Sequence, residues 1–263
     1  MYLNYVLNKK LTWLKTWQDT ELTSEELEKL KQLIGRRKNG EPIAYITGEK
    51  TFWSLTLETN SSTLIPRPET ELLVEKALNY LATKPTAKLL DLGTGTGAIA
   101  LAIASERKND LVFACDYVEE AVKLAIRNTK KNNIENVSII QSDWFSSIDL
   151  KDFDLIISNP PYIDPEDEHL SRGDVRFEPL TALIAEDHGL ADIRNIIKQA
   201  VSYLSPLGWL MFEHGYDQGE SVRKLFNEHG FVEIATYQDL GGNDRVTIGR
   251  LPEQGVTEHS RGG

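Results

Sequence analysis

The chain has 263 residues and a formal net charge of −11 at pH 7, with 40% hydrophobic and 26% charged residues. This is the composition of an ordinary globular protein, and the excess of acids argues against a surface built to neutralise nucleic-acid phosphates. No apolar run approaches the roughly 18 residues of a membrane span, so we expect no membrane partner.

A few residue types indicate the compartment. Cys115 is the one cysteine, and it lies in the apolar run 111–115, which predicts a buried structural thiol in a reducing compartment. The N-terminus Met1-Tyr2-Leu3 lacks a signal or transit pattern, so we expect a cytoplasmic protein. The histidines are scattered without ligand spacing, and we therefore expect no metal site.

Residues 1–45 are predicted to form a small helical domain. Leucines recur at helical spacing, Thr23 and Ser24 offer an N-cap for the longest helix, and Gly40 with Pro42 ends that helix. This pattern fits a helical cap and a partner-binding module equally well.

Residues 46–66 are predicted to form a β-hairpin that links this domain to a larger one. The stretch 52–59 alternates and carries aromatic and β-branched residues, so we expect one strand there, paired with the stretch just before Leu64. A helix should begin near Pro68, and the two prolines around Arg67 exceed what a helix start needs.

From Lys88 onward, strand and helix patterns alternate, which predicts an α/β fold with a mostly parallel sheet and helices on both faces. We place this larger domain at residues 67–250, and the tail 251–263, which lacks apolar periodicity, is predicted to be disordered. The predicted strands are 88–92, 111–115, 137–140, 153–158, 209–212, 232–237 and 245–248, and the predicted helices are 98–104, 119–132, 190–204 and 218–229.

A glycine-rich turn, 93–97, follows the first of these strands. Glycine lets a backbone turn tightly and approach a ligand closely. Asp116 lies about 20 residues on, at the end of the next strand, where a carboxylate can accept hydrogen bonds from both hydroxyls of a ribose. The turn therefore predicts an adenosine-containing cofactor and leaves open a nicotinamide or a methyl-donating one.

The strand 153–158 ends in Asn159-Pro160-Pro161-Tyr162. Proline cannot donate to a sheet ladder, so the strand stops in a stiff turn rich in carbonyl groups. The side-chain oxygen of Asn159 and the carbonyl of Pro160 can accept the two N–H groups of a planar NH2, and the Tyr162 ring can lie against its flat face. A plain loop explains the same residues on their own, since Asn and Pro both favour turns.

The candidate site residues follow different strands but are expected to meet. In open α/β sheets, ligands bind outside the carboxyl ends of the strands, where the glycine turn, Asp116, Trp144 and Asn159 all fall. Trp144 is suited either to flank an adenine ring or to cover the edge of the sheet. These loops therefore predict one shared crevice.

The turn 91–97, Asp-Leu-Gly-Thr-Gly-Thr-Gly, resembles the S-adenosylmethionine motif of class I methyltransferases. Asn159 to Tyr162 narrows the resemblance to enzymes that methylate a planar amide or amino nitrogen, and DNA adenine-N6 enzymes are among them. Further stretches are similar to the peptide chain release factor glutamine-N5 methyltransferases, the HemK/PrmC family. These stretches are 42–48 with 52–53, 64–71, 178–183 and 242–246.

This resemblance implies a Rossmann-like seven-stranded methyltransferase sheet and a helical N-terminal domain that helps engage the substrate. It implies methyl transfer from S-adenosylmethionine to N5 of the glutamine in the Gly-Gly-Gln motif of class I release factors, without direct nucleic-acid binding. The alternative is a nucleic-acid adenine-N6 amino-methyltransferase, which the net charge of −11 disfavours.

The resemblance also assigns residues. The implied cofactor contacts are Gly93, Thr94, Gly95, Thr96, Gly97, Asp116, Trp144 and Asn159. The implied substrate-binding residues are Asn159, Pro160, Pro161 and Tyr162, and of these Asn159, Pro160 and Tyr162 are the implied catalytic ones.

Overall fold

The computed structural model describes residues 2–253. Its N-terminal part is helical, as predicted, with α1 (Tyr2–Leu7), α2 (Leu11–Thr16), α3 (Ser24–Lys38) and α4 (Ile43–Thr47). A capping box begins α3: the Thr23 hydroxyl accepts from the Glu26 N–H at 3.2 Å, and the Glu26 carboxylate accepts from the Thr23 N–H at 2.8 Å. Of the two candidates, Thr23 is therefore the N-cap.

A two-stranded antiparallel hairpin follows, formed by β1 (Glu49–Phe52) and β2 (Leu55–Glu58). The chain reverses at Trp53, whose φ is 55°, so the prediction of one strand over 52–59, paired with the stretch before Leu64, is wrong. The reason is tertiary, because distant carboxylates hold the turn. Glu71 accepts from the Trp53 N–H at 2.8 Å, and Glu106 accepts from its indole N–H at 2.7 Å.

The large sheet of the described chain has seven strands in the order β5-β4-β3-β6-β7-β9-β8. They are β3 (Lys88–Leu92), β4 (Leu111–Asp116), β5 (Val137–Gln141), β6 (Phe153–Ser158), β7 (Leu204–Glu213), β8 (Val232–Gln238) and β9 (Asp244–Arg250). The strands β3 to β7 run parallel, and β9 pairs antiparallel with both β7 and β8. The predicted Rossmann-like seven-stranded sheet is confirmed.

Helices cover both faces of this sheet. They are α5 (Glu71–Leu81), α6 (Ala98–Glu106), α7 (Glu119–Lys131), the single irregular turn α8 (Glu186–Gly189), α9 (Ala191–Ala200) and α10 (Gly219–Glu228). Because side chains alternate along a strand, Leu89 packs into one core with α5 and α6, whereas Leu90 packs into a second core with α9 and α10.

One of the smaller predictions is confirmed, and others stay predictions. Cys115 is buried, as predicted. Most of the tail predicted to be disordered, 251–263, lies outside the described residues, of which 253 is the last. Within the described part, no helix has the length and apolar character required to span a membrane. The division into domains at 45, 66 and 250 remains a prediction.

Candidate active site

A cavity of about 330 Å³ lies outside the carboxyl ends of β3, β4 and β6. Its volume falls within the range of about 300–1,000 Å³ typical of small-molecule sites. The position is a topological switch point, because β3 lies between β4 and β6 in the sheet. Most of the predicted site residues line this cavity: Gly93, Thr94, Gly95, Thr96, Asp116, Trp144, Asn159 and Pro161.

Three predicted residues, Gly97, Pro160 and Tyr162, lie outside this lining. Gly97 is the N-cap of α6 and has a φ of 85°. A Cβ there would come within 3.0 Å of the Leu101 side chain, so glycine at this position avoids a tight contact with the first turn of the helix. Pro160 is buried. Tyr162 as a whole residue is partly exposed, but desolvation of its hydroxyl raises the pKa of that group. Its backbone carbonyl accepts from Gln218 Nε2 at 3.0 Å.

Local hydrogen bonds hold the glycine turn. The N–H groups of Gly93 and Thr94 both donate to the Cys115 carbonyl at 2.9 Å, which ties the turn to the end of β4. Behind the turn, the buried Asn128 side chain on α7 donates to the carbonyls of Thr96 at 2.9 Å and Glu58 at 3.1 Å. The β1–β2 hairpin is therefore joined directly to the cofactor side of the cavity.

A buried carboxyl beneath the turn completes this support. Asp91 is 1% exposed, and its Oδ2 accepts from the Thr94 hydroxyl at 2.6 Å and from the Ala100 N–H at 3.2 Å. Burial raises the pKa of Asp91 to about 7, and the bonds from Thr94 and Ala100 oppose that rise. Asp91 thus joins β3, the turn and α6 without lining the cavity.

Asp116 is positioned by backbone donors. One carboxylate oxygen accepts from the Gly95 N–H at 2.8 Å and the other accepts from the Val118 N–H at 2.9 Å. Burial raises the pKa of Asp116, while the bonds from Val118 and Gly95 lower it. Each carboxylate oxygen keeps a further lone pair for a hydroxyl group of a ligand.

Trp144 lies beside the glycine turn in the lining of the cavity. Gly93 has a φ of 71°, a left-handed conformation that glycine adopts freely, and a Cβ added there would lie in ordinary van der Waals contact with the Trp144 ring, at 3.4 Å. Trp144 itself has a φ of 47°, a conformation that residues other than glycine seldom adopt and that concentrates at functional sites. The Asp192 carboxyl faces the indole, and this residue was not predicted.

Asn159 forms the other side of the cavity together with Thr70, which sequence reasoning missed. Asn159 Nδ2 donates to the Thr70 hydroxyl at 3.4 Å, a long hydrogen bond. The fully buried Glu213, at the end of β7, also lies here, since the Thr70 and Asn159 side chains lower its pKa. Sequence reasoning missed Glu213 too, and the acid directly after the apolar run 210–212 is the signal that could have identified it.

A buried ion pair explains two of the stretches that carry the family resemblance. The Arg67 guanidinium pairs with the Glu178 carboxylate, whose side chain is 0% exposed, and Glu178 also accepts from the Ile65 N–H at 2.9 Å. Burial raises the pKa of Glu178, and Arg67 lowers it. Neither residue was predicted as part of the site, although Arg67 lines the cavity.

Comparisons with known proteins agree with this architecture. Residues 68–174 match the family described as methyltransferase small domain, and residues 1–48 match the PrmC N-terminal domain. A crystal structure of a methyltransferase from Pyrococcus furiosus has a TM-score of 0.56 at 19% identity, covering 84% of this chain and 99% of that one. At this low identity the likeness shows the fold alone.

Curated relatives are far more similar. The release factor glutamine methyltransferase of Salmonella typhimurium is 53% identical over 249 residues, which are 95% of this chain and 90% of that protein. The release factor glutamine methyltransferase of Escherichia coli is 51% identical over 248 residues, which are 94% of this chain and 89% of that protein. The chain therefore belongs to the release factor glutamine methyltransferase family.

Proposed function

We propose that this protein transfers the methyl group of S-adenosylmethionine to the side-chain amide nitrogen, N5, of the glutamine in the Gly-Gly-Gln motif of class I release factors. The observation that carries the proposal is that Asn159 lines the same cavity as the glycine turn and Asp116. An acceptor for a planar NH2 group thus lies beside a site suited to an adenosine cofactor.

The cavity residues fit S-adenosylmethionine. The Asp116 carboxylate is positioned to accept the ribose hydroxyls, and Trp144, Ile99 and Val118 supply apolar surface for the adenine. Gly93 and the Trp144 ring lie side by side in the lining, so the backbone of the glycine turn and a flat aromatic surface face the same space. When bound, this cofactor supplies a sulfonium methyl group that is already strongly electrophilic.

The protein's own task is placement, because an amide nitrogen is a poor nucleophile whose lone pair is delocalised. We assign acceptance of the two amide hydrogens to Asn159 Oδ1 and the Pro160 carbonyl, and packing on the amide plane to Tyr162. Orientation of this kind can lower a barrier by several kcal/mol. Acceptors also bind more strongly as the N–H groups gain positive charge, which stabilises the transition state over the ground state.

The N-terminal domain is proposed to help engage the release factor. Its contacts support this role, because Arg37 Nη1 at the end of α3 lies 3.0 Å from Asp174 Oδ1, and the Arg176 guanidinium lies against Gly40. The segment 174–178 leads directly to Glu178, the partner of Arg67. A protein docked on the helices would therefore also lie close to the wall of the cavity.

One experiment tests the activity. The protein is incubated with tritiated S-adenosylmethionine and, separately, with release factor, DNA and RNA. We expect label on the release factor, located by peptide mass spectrometry on the glutamine of the Gly-Gly-Gln motif. Label on DNA, with none on the release factor, would overturn the proposal in favour of an adenine-N6 methyltransferase.

A further inference from the structure

The carboxyl group of Glu213 is buried without hydrogen bonds of normal geometry from the described residues. The residue ends β7 and is 0% exposed, and within the described residues neither carboxyl oxygen has a hydrogen-bond partner of normal geometry. A buried polar group without partners costs stability. A buried carboxyl of this kind beside the cavity therefore suggests a functional role.

The surroundings of Glu213 supply one. In the parallel β6–β7 ladder, Phe212 is in register with Ser158, which places Glu213 beside Asn159. The Thr70 hydroxyl and the Asn159 amide both face the Glu213 carboxyl, and Asn159 Nδ2 is 3.4 Å from the Thr70 Oγ1. Residues from three separate segments thus form one polar cluster at the substrate side of the cavity.

The chemistry of this cluster selects one orientation of the Asn159 amide. An asparagine side chain presents an oxygen acceptor at one end and an NH2 donor at the other, whereas an ionised carboxylate only accepts. Facing a carboxylate, the amide must turn Nδ2 toward Glu213 and leave Oδ1 free. The proposed transfer needs that Oδ1 as an acceptor for the substrate NH2.

We propose that Glu213 is a positioning residue that sets the flip of the Asn159 amide, with Thr70 as the second member of the cluster. The inference rests on the proposed function, because only a substrate with N–H donors makes the orientation matter. Glu213 touches no reacting atom in this scheme and acts through Asn159.

The ionisation of Glu213 gives the cluster a pH dependence. Burial raises the pKa of Glu213 to about 7, the Thr70 and Asn159 side chains lower it, and the charges of Glu69 and Arg245 act in opposite directions. Tyr162 also faces this group, whereas His214 turns away and its Nε2 lies 2.8 Å from the Thr247 hydroxyl. Below pH 7 a protonated carboxyl can donate to Oδ1 and hold the wrong flip, so kcat should rise as pH increases through about 7.

The first test is kinetic. Glu213→Gln keeps the shape but adds a donor, so both amide flips become possible. We expect kcat to fall about 10- to 100-fold, a loss typical of a misplaced reacting group, with the cofactor Kd nearly unchanged and the rise of kcat near neutral pH abolished. Thr70→Val should lower kcat as well, and Thr70→Ser should restore it.

The matched control is Asp110→Asn, which also replaces a buried carboxyl by an amide. Asp110 lies beside Arg107 just before β4, at the end of that strand away from the cavity. It should lower stability and leave kcat unchanged. A Glu213→Gln enzyme with wild-type kcat and an unchanged pH profile would overturn the positioning role.

The second test needs no activity. In protein labelled with 15N-asparagine, the Asn159 side-chain amide signal is assigned by its loss in Asn159→Asp, and its shift is followed against pH. We expect a titration near pH 7 in the wild type and none in Glu213→Gln. Identical signals in both proteins at every pH would overturn the inference, whereas a titrating signal without label on the release factor would overturn the proposed function alone.

Discussion

The cavity has a cofactor wall, formed by the glycine turn and Asp116, and a substrate wall, formed by Thr70 and Asn159 with Glu213 buried beside them. The two walls differ in how their polar groups are hydrogen-bonded. On the cofactor side, the groups that the ligand would meet are held by the local backbone: Gly93 and Thr94 donate to the Cys115 carbonyl, and Asp116 accepts from two backbone N–H groups. These bonds join the glycine turn to the end of a neighbouring strand. The conformation of the glycine turn and of the Asp116 carboxylate is therefore set by bonds within the protein.

The substrate wall is assembled from distant segments and keeps its acceptors open. Asn159 Nδ2 and Thr70 Oγ1 meet through one long contact of 3.4 Å, and the carboxyl of Glu213, which both side chains face, has no partner of normal geometry among the described residues. Such a wall gains most from a ligand that brings hydrogen-bond donors. From this difference we expect substitutions on the substrate side to lower kcat, and substitutions on the cofactor side to weaken the binding of the cofactor.

The largest effect should come from Asn159→Ala. Loss of an acceptor that binds best in the transition state should lower kcat by about 10²- to 10³-fold, as for other groups of this kind. Cofactor binding, measured by calorimetry, should weaken far less. Asn195→Ala, on the exposed face of α9, is the matched control. Near-normal turnover of Asn159→Ala on a release factor would remove the distinction between the walls.

Next in size is the buried pair that supports the substrate side. Arg67→Met leaves the Glu178 carboxylate buried without its charged partner, and this should lower the free energy of unfolding by about 3 kcal/mol. The double variant Arg67→Met with Glu178→Gln keeps an acceptor for the Ile65 N–H and should regain part of that stability. Denaturant unfolding measures both. A double variant less stable than Arg67→Met would contradict the argument.

Asp116→Ala should weaken cofactor binding more than it lowers kcat, which is the reverse of the result expected for Asn159→Ala. Hydrogen bonds to a charged group are worth about 1.5–3 kcal/mol, so loss of the carboxylate should weaken cofactor binding by about 10- to 100-fold. Once the cofactor saturates the enzyme, kcat should stay close to the wild-type value. Calorimetry with S-adenosylmethionine decides the assignment, and an unchanged Kd would refute it.

The smallest effect is expected at the glycine turn. Gly93→Ala forces a Cβ onto a residue with a φ of 71° and places it 3.4 Å from the Trp144 ring. The left-handed conformation alone should cost about 1–2 kcal/mol in unfolding, and the cofactor Kd should rise more than kcat falls. Gly35→Ala is the control, since a Cβ at Gly35 meets nothing within 4 Å. Equal losses in both variants would show that the left-handed conformation at Gly93 is unimportant.

The sequence by itself determined the sheet and the cofactor wall. Apolar runs bounded by glycine or proline are local signals, and they predicted β3 over 88–92 and β6 over 153–158 with the bounds that the structure has. The glycine turn and Asp116 were also predictable, because the strand ends of a parallel sheet meet along one edge. The order of the elements along the chain was sufficient to bring them together.

Only the tertiary structure decided the rest. The hairpin turn at Trp53 depends on carboxylates of Glu71 and Glu106, which lie far along the chain. Likewise Glu213 becomes part of the substrate wall only because β7 lies beside β6. Buried polar side chains take their meaning from the groups that face them, and those groups come from segments whose adjacency no local pattern encodes.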